Sequence, residues 1–386
     1  MERRQALKVS CALCAGLVTR PLFPSSSPRY SPPARLHRPD AGSEEGGLWA
    51  LMDRQERQIK RSGLLVPDET ITRYAQAIAC RLGGEHCPDI RVYVVRTPHF
   101  NATMAPNGLM QIWTGLLLRV SNEAQLAAVI GHELGHYYQR HSLQRLRDTK
   151  DKAFAAQIMG MFGVAGALGQ LAVSASMFSF SREHESEADE IGAVLMHKSG
   201  YDVEESAKVW EGLLEEMRAR DENKAWLGNS IFDSHPPSAE RRDRLLGISS
   251  QLRGGVKGID NFSKYTSLHI EGWCDDELKR RQFDESISLF SRLSKTTVNK
   301  TLMSYFLFES HRLRALPGDD ALALQGFSSL SASMPNFARV YRSIGLIQRQ
   351  RRQKDAAISA FTRYVELAPD APDYELIDMY IKELKA

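Results

Sequence analysis

The stretch that decides the fold is Asn122-Glu-Ala-Gln-Leu-Ala-Ala-Val-Ile-Gly-His-Glu-Leu-Gly-His-Tyr-Tyr138, in which apolar residues recur at helical spacing. His132 and His136 are four residues apart, so both imidazoles lie on one face of this predicted helix and can bind one metal ion. Glu133 is placed to take a proton from a water molecule at the metal. The pattern predicts a zinc centre; the alternative is a surface helix that carries polar residues.

Two histidines need a third protein ligand, and the best candidates lie in a second predicted helix that begins with acids. Glu185 follows His136 by 49 residues, and Glu185 and Asp189 are four residues apart on one face. One carboxylate completes the ligand set, and the other accepts the free ring N–H of a ligand histidine and fixes its tautomer. The alternative is an acidic first turn stabilised by the helix dipole, a role that suits Glu183 and Glu187.

His141 is a third nearby histidine. It follows His132 by nine residues, which is about 180° around a continuous helix, so we expect it to point away from the metal. Ser142 occupies the position of the third histidine in the longer zinc pattern. His141 is therefore predicted to have a packing or capping role.

Two segments upstream of the helix are predicted strands. Arg91-Val-Tyr-Val-Val-Arg96 is rich in β-branched and aromatic residues, and Leu109-Met-Gln-Ile-Trp113 alternates. Asn107-Gly108 supplies the turn that enters the second strand. A strand beside the metal helix would let an extended peptide add to the sheet through its main chain, with little sequence preference. Alternatively, the sheet simply supports the helix; the two roles are compatible.

Several separated motifs together resemble a known peptidase family. They are His132-Glu133-x-x-His136 followed by Arg140-His141, Glu185-x-x-x-Asp189, Ser234-His235-Pro236 with Arg241, and upstream Asn101-Ala102 with Pro106-Asn107-Gly108. Over roughly residues 50–250 the chain resembles the zinc peptidases that include the CAAX prenyl proteases and the heat-shock membrane proteases. It resembles in particular the periplasmic β-barrel assembly-enhancing type, which carries C-terminal tetratricopeptide repeats.

The resemblance implies a ligand set and a fold. It implies His132, His136 and Glu185 as ligands of one Zn²⁺ per chain, Glu133 as general base, and Asp189 as the carboxylate that orients a ligand. It also implies an α+β, gluzincin-like metalloprotease domain, mainly helical with a small sheet, which we place at residues 48–252.

The turn Ser234-His235-Pro236-Pro237 is rigid and non-helical, and it has more than one candidate role. His235 is a candidate catalytic residue that stabilises the oxyanion of the tetrahedral intermediate, or a residue that occupies the open zinc position and holds the enzyme latent. Arg241, also a candidate catalytic residue, either polarises the same oxyanion or braces Glu185. An ordinary loop histidine is the remaining alternative.

From Gly258 onward the pattern is helical and repeats at 34 residues, the tetratricopeptide period. The clearest copy begins at Ala338, and its aromatic, small and proline positions are filled by Tyr341, Gly345, Ala357, Phe361 and Pro369. A second copy at 304–337 has Ala323, Phe327 and Pro335, and a degenerate copy around 267–303 has Trp273, Cys274 and Phe290. We predict a repeat domain at 260–386 that leans on the first domain and offers a concave surface to peptides or partner proteins; a plain helical bundle is the alternative.

The first residues suggest export. A charged head is followed by an uncharged run over 9–18, the length of a signal-peptide core and too short to span a membrane. We predict a signal peptide or N-terminal anchor at 1–20, exported by the general or the twin-arginine route, and a disordered linker at 21–47. A disordered tail and a lipid on Cys11 are the alternatives. The resemblance places the mature protein in the periplasm of a Gram-negative bacterium, with membrane association left open.

Two further features leave alternatives open. Cys80 ends a predicted helix and Cys87 follows a Gly83-Gly84 turn, so the pair forms a local disulfide or remains as two buried thiols.

The segment 153–181 is 29 residues long and carries no charge. A single membrane crossing there would put Glu185 and His136 on opposite sides of the bilayer, so we expect buried packing or contact with a membrane surface.

Length and charge limit the class of protein. At 386 residues, two folded units plus tails are expected. The net charge of +3 lies in residues 1–47, which hold seven Lys/Arg against four acids, so the remaining chain is neutral. A neutral folded part excludes a typical nucleic-acid binder.

By resemblance, we expect a zinc metalloendopeptidase that hydrolyses misfolded or stalled cell-envelope and outer-membrane proteins. Its expected partners are polypeptide substrates and outer-membrane assembly proteins, bound through the repeats. The alternative is a chaperone or assembly adaptor whose zinc site is latent.

Overall fold

The computed structural model describes residues 32–148, 180–220, 235 and 238–386 of the chain. In chain order the elements are α1 Glu44–Arg61, α2 Glu69–Gly83, a 3-10 helix Gly84–Asp89, β1 Arg91–Val95, β2 Ala102–Met104, β3 Leu109–Trp113, α3 Thr114–Arg119, α4 Glu123–Tyr138, α5 His141–Asp148, α6 Arg182–Lys198, α7 Glu204–Ala219, α8 Ala239–Ser249, α9 Ile259–Thr266, α10 Ile270–Lys279, α11 Phe283–Thr296, α12 Lys300–Arg314, α13 Asp319–Ser333, α14 Ala338–Gln350, α15 Lys354–Leu367 and α16 Tyr374–Lys385. The described part is mainly helical with a small sheet, which confirms that part of the predicted fold class.

The sheet has three strands in the order β1-β3-β2. Strand β3 runs parallel to β1 and antiparallel to β2. Both predicted strands are present, but β2 was missed because a three-residue strand is too short to show alternation. The turn between β2 and β3 requires Gly108, whose φ is +86° and whose Cβ, if present, would lie 1.9 Å from the backbone oxygen of Asp89.

Helix α1 begins at Glu44, inside the segment 21–47 that was predicted as a linker. Ser43 caps its first turn by accepting a hydrogen bond from a backbone N–H. Met52 on its buried face packs into the apolar cluster beneath the sheet. The predicted boundary at residue 47 is therefore too late, because a capped amphipathic helix begins at Glu44. The predictions for residues 1–31 lie outside the described residues.

Cys80, at the end of α2, and Cys87, in the 3-10 helix that follows, form a disulfide. Of the two alternatives predicted for this pair, a disulfide and two buried thiols, the structure has the disulfide. The bond ties the end of α2 to the turn that leads into β1.

Helix α4 is buried along its whole length, because every one of its residues from Glu123 to Tyr138 is buried. A helix that is buried on all sides needs polar partners for its polar side chains. At its start, the Glu123 carboxylate accepts hydrogen bonds from the hydroxyls of Tyr74 at 2.9 Å and Tyr201 at 2.8 Å. These contacts fix the end of α4 that lies away from the two histidines.

The C-terminal helices α10 to α16 pack in sequence, each against the next. Ala323 and Phe327 of α13 and the corresponding Ala357 and Phe361 of α15 are all fully buried. The equivalent positions are 34 residues apart. The helical part of the prediction is confirmed, and the assignment to tetratricopeptide repeats stays a prediction.

A buried charge network joins these helices to α3 and α7, and Pro32–Ala386 cluster as one unit. The Arg119 side chain, only 2% exposed, lies 2.7 Å from Glu216 of α7 and 3.0 Å from Glu277 of α10. Arg292 of α11 also contacts Glu216, at 2.9 Å. Because a buried charge is costly unless it is paired, this network fixes the position of α10 and α11 on α7.

In the ranges that the structure describes, no helix has the length and apolar character needed to cross a membrane. The uncharged segment at 153–181, predicted to pack or to contact a membrane surface, lies outside the described residues as far as residue 179.

Arg119→Met tests the charge network. We expect it to lower the free energy of unfolding by about 3 kcal/mol, because two buried carboxylates lose a shared partner. The matched control is Arg96→Gln, which removes an ion pair with Asp276 of α10 from a side chain that is 57% exposed. The control should cost at most about 1 kcal/mol. Equal costs for the two variants in urea unfolding would contradict the role of the network.

Candidate metal centre

Helix α4 carries three polar side chains into the interior: His132, Glu133 and His136, which are 4%, 2% and 2% exposed. The Nε2 atoms of the two histidines are 3.0 Å apart. One helical turn therefore aims both imidazoles at the same place, as their spacing predicted.

Helix α6 supplies carboxylates opposite these imidazoles. Ser181 caps α6 by accepting a hydrogen bond from the backbone N–H of His184 at 3.3 Å. Glu185 and Asp189 follow on one face of the helix, and both are buried. The cap thus sets the register that turns these two acids toward α4.

Two glycines allow α4 and α6 to approach each other closely. A Cβ on Gly135 of α4 would lie 2.8 Å from the Cα of Ala188 on α6. A Cβ on Gly192 of α6 would lie 2.9 Å from the backbone nitrogen of His132. Such contacts are too short for real side chains, so glycine at both positions is what permits this distance between the helices.

Ligand atoms from His132, His136, Glu185 and His235 all lie within 4.8 Å of one another. The Glu185 carboxylate is 3.4 Å from Nε2 of His132 and 3.4 Å from Nε2 of His136. Tetrahedral zinc with ligand bonds near 2.0–2.1 Å would hold its ligand atoms about 3.3 Å apart. The donor types and their spacing therefore fit a tetrahedral metal ion such as zinc.

The electrostatics of the cluster favour a positive charge. Oδ1 of Asp189 is 2.9 Å from Nδ1 of His132, which leaves Nε2 of that ring for the cluster. Burial lowers the pKa of His132, but hydrogen bonds with Asp189 and Glu185 outweigh it and raise the pKa to about 9. The carboxylates thus stabilise a cation at this position, which a bound metal ion would provide.

Arg241 of α8 bridges the two carboxylates of α6. Its Nη1 is 2.7 Å from Glu185, and its Nε and Nη2 are each 2.8 Å from Asp189. The ring of Trp210 on α7 covers the guanidinium, with Cζ 3.8 Å from the ring centroid. Of the two roles considered for Arg241, the geometry corresponds to bracing Glu185.

Glu133 lies beside the cluster and outside the group of ligand atoms. Burial raises the pKa of its carboxyl, while His235 and His132 oppose that shift. Its Oε1 is 3.6 Å from Nε2 of His235. A buried carboxylate with a raised pKa can accept a proton next to the ligands.

His235 enters the cluster. Its Nδ1 is 2.9 Å from Oε1 of Glu185 and 3.2 Å from Nε2 of His132. The imidazole therefore stands at the fourth corner of the ligand group. Of the roles that the sequence left open, this position corresponds to occupation of the open metal position.

His141 does not lie where a continuous helix would place it. Helix α4 ends at Tyr138, and Arg140 has a φ of +57°, so the chain turns back on itself. As a result, Nδ1 of His141 is 2.8 Å from Nδ1 of His136. This nitrogen of His136 faces away from the ligand group, and His141 is not among the ligand atoms, as its predicted packing role implies. The assumption that α4 continues as far as His141 is wrong, because the chain turns at Arg140. Glu187, predicted only to interact with the helix dipole, lies 3.2 Å from Nε2 of His141.

Comparison with known families agrees with this geometry. Residues 66–249 match the family model described as peptidase family M48. The matched residues include both helices, α4 and α6, that supply the metal-ligand group.

Several curated proteins are similar to the chain. The Beta-barrel assembly-enhancing protease of Escherichia coli (strain K12) is 27% identical over 202 residues, which are 47% of this chain and 41% of that protein. Metalloprotease YcaL of the same strain is 29% identical over 250 residues, 62% of this chain and 93% of YcaL. The Mitochondrial metalloendopeptidase OMA1 of Arabidopsis thaliana is 30% identical over 183 residues, 44% of this chain and 36% of that protein. The chain thus spans less than half the length of the first and third relatives.

Gly135→Ala tests whether close helix contact builds the centre. The added methyl group must push α6 and its carboxylates away, so we expect zinc affinity to fall by about tenfold or more. Zinc affinity is measured by competition with a chelator. Gly247→Ala on α8 is the control, because a Cβ there meets nothing within 4 Å. Unchanged affinity in Gly135→Ala would show that the centre does not depend on this contact.

Proposed function

We propose that the chain is a zinc-dependent endopeptidase. The observation that carries this proposal is the buried group of His132, His136 and Glu185 with the carboxylate of Glu133 beside it. Two imidazoles and one carboxylate, with a neighbouring carboxylate free of the ligand group, are the parts of a catalytic zinc site. The M48 match over residues 66–249 supports the same reading.

Glu133, Arg241 and Asp189 have separate roles in the proposed hydrolysis. His132, His136 and Glu185 would hold a zinc ion, which would supply Lewis acidity for the water and the scissile carbonyl. Glu133 takes the proton from the attacking water and passes it to the leaving nitrogen. Arg241 keeps the Glu185 carboxylate in place through its contact at 2.7 Å. Asp189 holds the His132 ring in one tautomer.

The proposed substrates are misfolded or stalled proteins of the bacterial cell envelope, including outer-membrane proteins. The similarity to a protein named Beta-barrel assembly-enhancing protease supports this class. The proposed repeat domain would bind these polypeptides or outer-membrane assembly proteins on its concave face.

We further propose that the protein works in the periplasm of a Gram-negative bacterium. The Cys80–Cys87 disulfide supports an oxidising compartment. Contact with a membrane surface through residues 153–181 is part of the same proposal.

A latent state is the second proposal, and the position of His235 supports it. The His235 imidazole lies 2.9 Å from Glu185. It therefore occupies the fourth metal-ligand position, where an attacking water would bind. Release of the His235 turn would then be required for hydrolysis. If it were never released, the protein would act as a chaperone or assembly adaptor instead of a peptidase.

Glu133→Gln tests the enzymatic proposal. Casein hydrolysis by the purified protein should fall about 10²–10⁴-fold, the usual contribution of a general base. Zinc content should be unchanged, because Glu133 lies outside the ligand group. Equal rates for wild type and variant would contradict peptidase activity at this site.

His235→Ala distinguishes the plug from a catalytic role. If the ring blocks the site in about nine-tenths of molecules or more, casein hydrolysis should rise about tenfold or more. His197→Ala, at the exposed end of α6, is the control and should leave the rate unchanged. A loss of hydrolysis in His235→Ala would show instead that the ring acts in catalysis.

A further inference from the structure

A hydrogen-bonded chain of side chains leads from the proposed metal centre to the protein surface, and the chemistry above does not use it. It begins at the outer nitrogen of His136, whose Nδ1 lies 2.8 Å from Nδ1 of His141. It continues from Nε2 of His141 to Oε2 of Glu187 at 3.2 Å. The Glu187 side chain is 42% exposed, so this series of hydrogen bonds ends at solvent.

The backbone is shaped to bring these groups together. Because α4 stops at Tyr138 and Arg140 adopts a left-handed conformation, α5 can start with His141 directly behind His136. The ring of His141 is fully buried. It stacks on the ring of His184 on α6, with the centroids 4.1 Å apart. A non-glycine residue in a left-handed conformation carries a cost that the resulting contacts must offset.

Helix α6 carries Glu187, the last residue of this series of hydrogen bonds. Glu187 lies on α6 between the two acids that face the metal ligands, but it points along a different side of the helix. The amide of Gln139 donates a hydrogen bond to its other carboxylate oxygen, Oε1. Glu187 is thus held by Gln139, which follows α4, and by His141, the first residue of α5.

The direction of each hydrogen bond follows from the metal-ligand role of His136. Its Nε2 faces the cluster, at 3.0 Å from Nε2 of His132, so this nitrogen must offer a lone pair to a metal ion. The proton of a neutral His136 ring therefore sits on Nδ1 and is donated to Nδ1 of His141. His141 must then carry its own proton on Nε2, and it donates that proton to the Glu187 carboxylate.

We propose that His141 and Glu187 are a pair of positioning residues that fix the tautomer and orientation of His136 as a metal ligand. The two ligand histidines are then supported differently. Asp189 contacts His132 directly, at 2.9 Å, whereas the carboxylate that supports His136 acts through an intervening imidazole. This inference rests on the proposed metal centre and deepens it.

The test is the zinc affinity of the full-length protein, measured by competition with a chelator and without reference to peptidase activity. His141→Leu removes the acceptor for the His136 proton, so affinity should fall about 10–100-fold. Glu187→Ala removes only the outer partner and should lower affinity by about threefold or more. In the double variant, the loss should equal that of His141→Leu alone, because Glu187 acts only through His141.

Two variants control for general damage to the fold. Glu183→Ala removes an exposed acid one turn earlier on α6 and should leave zinc affinity unchanged. His141→Asn keeps an oxygen acceptor near the position of Nδ1, so it should recover most of the affinity lost in His141→Leu.

Wild-type affinity in Glu187→Ala would overturn the proposal, as would fully multiplicative losses in the double variant or no recovery in His141→Asn. If the wild-type chain bound no zinc, the proposed metal centre would fail as well. Normal zinc binding by every variant would overturn only the positioning role and leave the metal centre standing.

Discussion

The close contact between α4 and α6 is the constraint on which the site depends. Gly135 faces the backbone of Ala188, and Gly192 faces the backbone of His132, at distances that exclude any side chain. Only at this separation do short acidic side chains on α6 reach the imidazoles of α4 within 3.4 Å or less. A metal centre made from two closely packed helices thus requires small residues where the helices cross, in addition to the ligands themselves.

That crossing buries several charges, and their pairing links the site to the rest of the molecule. Arg241 forms ion pairs with two carboxylates of α6, and Trp210 of α7 covers the guanidinium. The same helix α7 carries Glu216, which joins the buried network with Arg119 and the C-terminal helices. One helix therefore contacts both the residue that braces the metal centre and the C-terminal helices.

The parts of the site that follow helical periodicity were predictable from sequence. His132 with His136, and Glu185 with Asp189, depend only on a four-residue spacing within one helix. The contact of His141 with His136 was not predictable, because it depends on where α4 ends and on the left-handed conformation of Arg140. Such a conformation is uncommon for arginine, and the local sequence carries no glycine to signal it.

Other features depended on tertiary packing that no local pattern encodes. Strand β2 spans only Ala102–Met104 and exists because β3 pairs with it. The choice between disulfide and thiols for Cys80 and Cys87 required the distance between the two residues in the fold. The roles considered for His235 required the position of a residue far from α4 in sequence.

The most direct measurement of the central claim is the zinc content of the purified wild-type chain and of Glu185→Ala. We expect about one zinc per chain in the wild type and close to none in the variant. About one zinc per chain in both would contradict a metal centre built on Glu185.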